Sequence, residues 1–170
     1  YKDEVVEFVK DNLASFIAAE PRTDNPTDVI IYGFGRIGRL VTRQIIDIAG
    51  NGSQLRLKAI VTRRNGPEEI KKRASLFRKD SVHGPFQGIA VECVDDSTLY
   101  INGHIVHIIE ADKHEDVYYE EYGIQDALLI DSTGVWRDRK ELSRHLNSKG
   151  VAKVLLTAPG KGDIPNIVYG

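Results

Sequence analysis

The stretch Asp28-Val29-Ile30-Ile31-Tyr32-Gly33-Phe34-Gly35-Arg36-Ile37-Gly38-Arg39 decides the fold of this chain. Val29 to Tyr32 are β-branched or aromatic and read as a short strand. Gly33, Gly35 and Gly38 follow at the Gly-x-Gly-x-x-Gly spacing, and Ile37, Leu40, Val41, Gln44, Ile45 and Ile48 then recur at helical intervals. Strand, glycine turn and helix in that order are the setting in which this motif binds a dinucleotide. Gly33 permits a tight turn, Gly35 lets the backbone approach a pyrophosphate, and Gly38 lets the helix pack close to the sheet. Unpaired N–H groups and the positive dipole end of the helix favour the anion. The bland alternative uses the same glycines for packing alone.

Working outward, residues 3 to 19 read as an amphipathic helix with Val5, Phe8, Val9, Leu13, Phe16 and Ile17 on one side, ended by the Pro21 to Pro26 linker. Such a helix either docks on its own domain or serves an oligomer contact or an upstream segment. Residues 1–27 are therefore expected to be an extension and 28–170 one domain. The second strand runs from Leu55 to Val61 and ends in Thr62-Arg63-Arg64, where a dinucleotide fold usually places an acidic residue for the adenosine ribose. Losing that carboxylate removes repulsion against a 2′-phosphate, and an arginine can pair with one, so NADP acceptance is expected beside the reading of two solvated arginines.

Pro67 opens a second helix that runs to about Phe77, with Lys71, Lys72, Arg73, Arg78 and Lys79 read as a solvated face. Asp80, Ser81 and His83 lie close in a loop, but a hydrolytic triad is a matter of geometry, and a structural corner is expected. Alternating residues over 88–110 give strands, with Ile89, Val91 and Cys93 on one face and a hairpin turn at Asn102-Gly103. Cys93 reads as a small core residue. His104 and His107 stand on opposite faces of a strand, so no metal site is expected there.

Two further apolar strands, Asp126–Asp131 and Val151–Thr157, suit a parallel sheet covered on both faces, and a helix is expected between them over Arg137 to Lys149. Their ends carry Ser132-Thr133-Gly134 and Thr157-Ala158. In an open parallel sheet these ends border the same crevice as Gly33 to Gly38.

The chain has 170 residues, 41% hydrophobic and 28% charged, with a net charge of −2 and a pI of about 6.2. Those values describe one domain with a real core, without the basic excess of a nucleic-acid binder and without a long apolar run for a membrane. One cysteine excludes an internal disulfide framework and fits a reducing compartment, so a cytoplasmic location is expected. The chain begins at Tyr1 rather than Met, which leaves targeting unread.

Four blocks together resemble the N-terminal half of glyceraldehyde-3-phosphate dehydrogenase: Gly33-Phe34-Gly35-Arg36-Ile37-Gly38-Arg39, Lys79-Asp80-Ser81-Val82-His83-Gly84, Asp131-Ser132-Thr133-Gly134-Val135-Trp136 and Thr157-Ala158-Pro159. They occur in the family's order, and the chain ends Ile167-Val168-Tyr169-Gly170 within a further family block. The resemblance implies an α/β, Rossmann-type doubly wound, mainly parallel sheet with a β-hairpin insertion, here with an N-terminal helical extension. It implies a phosphorylating aldehyde dehydrogenase that uses NAD or NADP. In this family a cysteine thiolate attacks the aldehyde, a histidine acts as general base, hydride passes to nicotinamide, and phosphate releases 1,3-bisphosphoglycerate.

Carried over by resemblance, the cofactor residues are Gly33, Phe34, Gly35, Arg36, Ile37 and Gly38 along the pyrophosphate, with Thr62 and Arg63 at the adenosine ribose. Ser132, Thr133 and Gly134 would lie beside the adenine and ribose, Trp136 would flank the cofactor, and Thr157 and Ala158 would approach the nicotinamide side. Tyr32 replaces the usual Asn, Thr62 the usual Asp, and Ala111 a basic residue near the adenine. The family's catalytic cysteine and histidine come after Gly170, so the chain as it stands is expected to bind cofactor and catalyse nothing. Glyceraldehyde 3-phosphate and phosphate would concern only the full-length enzyme, a tetramer by resemblance. The alternative is a stand-alone nucleotide-sensing or protein-interaction module.

Overall fold

The computed structural model describes residues 25–49, 54–63, 67–80, 84–85, 91–95 and 97–168. The helix expected over 3 to 19, most of the following linker, Arg64, Ser81 to His83, Ile89 and the terminal Tyr169-Gly170 lie outside the described residues.

The elements in chain order are β1 (Thr27–Tyr32), α1 (Arg36–Ala49), β2 (Leu55–Thr62), α2 (Pro67–Arg78), β3 (Lys79–Asp80), β4 (Gly84–Pro85), β5 (Val91–Asp95), β6 (Thr98–Ile101) and β7 (His104–Glu110). Two 3-10 turns, His114–Asp116 and Tyr119–Tyr122, lead to β8 (Ala127–Asp131). Then come α3 (Arg139–Leu142), a 3-10 turn over Ser143–Asn147, and β9 (Val151–Leu156). Seven strands form one sheet in the order β5-β6-β7-β2-β1-β8-β9, while β3 and β4 pair separately. The pairs β7–β2, β2–β1, β1–β8 and β8–β9 are parallel, and β5–β6–β7 is an antiparallel meander. The doubly wound α/β sheet with its hairpin is the expected architecture. Asn102 and Gly103 take φ values of 45° and 88°, as a primed hairpin turn requires.

The strand order reverses at β1, whose neighbours are β2 on one side and β8 on the other. Crevices in such sheets open at this switch point, beyond the carboxyl ends of the strands. Val29, Ile30 and Ile31 are fully buried because both faces are covered. Val29 and Ile31 join Ile45 and Ile46 of α1 and Ala74 and Phe77 of α2 on one face. Ile30 and Tyr32 join Val117, Tyr119 and Ile124 from the turn region on the other.

Four local expectations are corrected. In α1 the buried positions are Gly38, Thr42, Arg43, Ile45 and Ile46, whereas Ile37, Gln44 and Ile48 are exposed. The helix is rotated from its most apolar face because Gly38 must meet the strand. The segment after Asp138 is one α turn followed by 3-10 geometry: Leu142, His145 and Ser148 are buried at a spacing of three, and Leu146 is 48% exposed. Residues i and i+3 eclipse in a 3-10 turn, so Leu146, four residues after Leu142, does not share its buried side as it would in the expected helix. Strand β9 is half exposed rather than buried, since it pairs with β8 alone among the described residues. Cys93 is exposed on the outer strand β5, not in the core.

Candidate functional site

The turn after β1 uses its three glycines for three different reasons. Gly33 has φ +93° and donates its N–H to Val61 O at 2.9 Å; a methyl group there would meet Thr133 Cγ2 at 2.7 Å. At Gly38 a Cβ would stand 2.0 Å from Gly33 O, so the first turn of α1 lies directly against the strand end. At Gly35 a Cβ would meet nothing within 4 Å. The protein's own packing explains Gly33 and Gly38 and does not explain Gly35.

Arg39 N donates to Gly35 O at 3.0 Å, which makes Gly35 the residue that opens α1. The N–H groups of Gly35, Arg36, Ile37 and Gly38 therefore have no acceptor within the helix. Arg36 and Ile37 are exposed beside them. Phe34 turns inward onto Phe77, 5.6 Å between ring centroids, and its carbonyl accepts from Arg39 Nη1 and Arg73 Nη1, both at 3.3 Å. Phe34 thus anchors the loop from below. Arg73, expected on a solvated face, turns in to hold that carbonyl.

Across the switch point, Ser132 N donates to Tyr32 O at 2.8 Å and ties the end of β8 to the glycine turn. Asp131 is fully buried. Its Oδ1 accepts from Thr133 N at 2.8 Å and Thr133 Oγ1 at 2.7 Å, and its Oδ2 lies 3.1 Å from His145 Nε2. Its main-chain carbonyl accepts from Thr157 N at 3.0 Å and Thr157 Oγ1 at 3.2 Å. The fold thereby gathers Gly33, Gly35, Ser132, Thr133, Gly134, Thr157 and Ala158 at one end of three neighbouring strands.

Thr62 and Arg63 are placed differently from one another. Thr62 is buried and lines a small cavity with Phe34, Arg73, Ala74, Leu99 and Ile108, so its side chain looks under the loop. Arg63 is exposed at the end of β2. Glu110 stands in register with Thr62 on β7, and Ala111 N donates to Thr62 O at 2.9 Å.

Sequence reasoning missed a cluster of rings beneath the β8 turn. Tyr32 stacks on His114 at 5.7 Å and meets His145 at 4.6 Å and Trp136 at 5.9 Å. His114 is itself 3.5 Å from Trp136 and 4.5 Å from His145, centroid to centroid. A bidentate Arg144–Glu115 pair and the Ser148 Oγ bond to His114 O, 2.8 Å, clamp the two turns that carry these histidines. Burial, then the neighbouring His145 ring and the Arg144 guanidinium, lower the His114 pKa to about 4. Burial and Asp131 push the Tyr32 phenol up to about 12. Trp136, expected to flank the cofactor, is half buried and packs first against this cluster. His114 sits in the charged run Asp112 to Asp116, which reads as solvated surface, and no local signal marks His145.

Among the described residues there is no group of metal-ligating side chains and no helix long and apolar enough to cross a membrane.

A parallel sheet with a glycine turn at its switch point defines a dinucleotide-binding α/β domain. Residues 27–139 match the family model described as glyceraldehyde 3-phosphate dehydrogenase, NAD binding domain, and the chain belongs to that family. It is 46% identical over 168 residues to a glyceraldehyde-3-phosphate dehydrogenase-like protein of Pseudomonas aeruginosa, covering 98% of this chain and 36% of that protein. It is 36% identical to the chloroplastic glyceraldehyde-3-phosphate dehydrogenase A of Zea mays, covering 87% of this chain and 34% of that protein. With glyceraldehyde-3-phosphate dehydrogenase of Chlamydia trachomatis the identity is 32%, over 84% of this chain and 39% of that protein. The chain spans little more than a third of the length of these relatives. A match over 98% of the chain takes in nearly all residues ahead of β1, so the Pseudomonas protein has a counterpart to that stretch of sequence.

Proposed function

We propose that residues 28–170 hold NAD or NADP for a phosphorylating glyceraldehyde-3-phosphate dehydrogenase, with residues 1–27 as an extension. In the longer protein the reaction would be oxidation of glyceraldehyde 3-phosphate to 1,3-bisphosphoglycerate, in a homotetramer of the cytoplasm. When bound, the dinucleotide supplies the hydride acceptor. The N–H groups of Gly35, Arg36 and Ile37 would hold the pyrophosphate, Arg63 and the Thr62 backbone the adenosine ribose. Ser132, Thr133, Gly134 and Trp136 would border the adenosine, and Thr157 and Ala158 the nicotinamide side. Cys93 is no candidate nucleophile: it lies four strand spacings from β1, roughly 19 Å at about 4.8 Å per strand.

The observation that carries this reading is the open space above Gly35. Gly35→Ala tests it, because the residue has neither a left-handed φ nor a clash. The loss at a helix-opening position and the gain from a less flexible unfolded chain offset, leaving stability within about 0.5 kcal/mol. Affinity for NAD+, read by calorimetry, is expected to fall about tenfold or more, near 1.4 kcal/mol. Unchanged affinity would overturn the assignment.

The exposed Arg63 at the end of β2 supports NADP acceptance, opposed by Glu110 in register nearby. Arg63→Ala is expected to weaken NADP+ binding about fivefold, the worth of about 1 kcal/mol for an exposed charge pair. NAD+ binding should change less than about twofold, since it lacks the 2′-phosphate. Equal losses for both would remove Arg63 from cofactor selection.

A further inference from the structure

We propose that Asp131 and His145 are positioning residues that set dinucleotide affinity by fixing the Thr133-Gly134 turn against the glycine loop, which rests on the cofactor reading above. Neither needs to touch the ligand. Asp131 lies below the crevice, fully buried, and a buried carboxyl group is tolerated only when its oxygens are hydrogen-bonded. Oδ1 takes both donors of Thr133, and Oδ2 takes Nε2 of His145. This arrangement assigns the Nε2–H tautomer to His145.

The turn held in this way is the one that touches the glycine loop. Thr133 Cγ2 lies 2.7 Å from where a Cβ on Gly33 would stand, and Ser132 N donates to Tyr32 O. Thr133 Oγ1 also accepts Val135 N at 3.2 Å, so a single threonine hydroxyl links the carboxyl to the next residues of the turn. His145 reaches Asp131 because the 3-10 spacing points Leu142, His145 and Ser148 to one side. An α-helical continuation would divide that side between residues 145 and 146. The irregular geometry of this segment is thus explained by the bond it delivers.

The test compares NAD+ affinity with thermal midpoint in four variants of this chain. His145→Leu fills similar space without a donor and is expected to lower affinity about tenfold. His145→Gln returns an amide donor near Nε2 and should recover affinity to within about threefold of the parent. Thr133→Val keeps the methyl group against Gly33 and removes the hydroxyl, and should cost about threefold in affinity, with a lowered midpoint because Asp131 Oδ1 then keeps only the Thr133 N–H. Should His145→Leu fail to fold, the Gln and Val variants decide. Affinity that tracks the midpoint alone, or Leu and Gln variants that bind equally, would reduce the pair to packing and overturn the proposal. Gly35→Ala serves as the fourth variant. If it loses NAD+ while the His145 and Thr133 variants bind like the parent, positioning fails and the cofactor reading stands. If the parent itself takes no NAD+, both fall together.

Discussion

Gly38→Ala is expected to destabilise the fold by at least about 3 kcal/mol, a fall in melting temperature on the order of 6–12 °C for a domain of this size. Circular dichroism during heating or urea titration reads it. The added methyl carbon would stand 2.0 Å from Gly33 O and 3.1 Å from Gly33 C, and both are backbone atoms that no rotamer change can move aside. Relief requires either end of the contact to shift. The helix is held by Ile45 and Ile46 in the core, and Thr42 Oγ1 donates to Gly38 O at 2.7 Å. The turn is held by the Gly33 N–H bond to Val61 and by Thr133 packed against it. With both sides fixed, the strain appears as lost stability, and binding fails because the turn is displaced. The contrast with Gly35→Ala is diagnostic: one glycine answers to the protein and the other to a ligand. A Gly38→Ala protein as stable as its parent would mean that helix and strand do not approach this closely.

The sequence carried the strand–turn–helix unit because β1, the three glycines and the start of α1 are contiguous and each obeys a local rule. Asn102-Gly103 was legible for the same reason. Failures began where long-range contacts compete with local pattern. Ile48 completes an apolar helical stripe in the sequence yet is 78% exposed, because the contact at Gly38 fixes the rotation of α1 instead. Arg73 belongs to a run of charges but turns inward to the Phe34 carbonyl, a partner far away in the chain. The meeting of strand ends beside the glycine turn was legible at Ser132-Thr133-Gly134 and Thr157-Ala158, where small and hydroxyl residues end apolar strands. Its support was not, since Asp131, His114 and His145 meet only after three separate segments have packed. Histidines in polar stretches carry no periodic signal that distinguishes a buried ring from a solvated one.

The buried His114 carries the second large expectation, a loss of stability in mild acid. It is 1% exposed, it packs against Tyr32, Trp136 and His145, and neither ring nitrogen has a hydrogen-bond partner among the described residues. Protonation inside the fold therefore places an unsolvated cation beside the His145 ring and the Arg144 charge, with Glu115 and Asp131 as the opposing carboxyl groups. The folded pKa is about 4, against 6.5 for a free histidine. Above pH 6.5 both states are neutral there and the full stability is present. Between 6.5 and 4 the unfolded chain binds a proton that the folded chain refuses, so stability falls with pH, and it levels off below 4 as the fold accepts the proton. A gap of this size corresponds to about 3 kcal/mol by pH 4. Carboxyl groups also titrate in acid, so the measurement is a difference: urea unfolding of the parent and of His114→Phe from pH 8 to 4. Phenylalanine keeps the ring contacts and cannot be protonated, and between pH 8 and 4 the variant should lose about 3 kcal/mol less stability than the parent. Parallel curves would mean that His114 meets water or a partner in solution and that the ring cluster beneath the β8 turn is not closed.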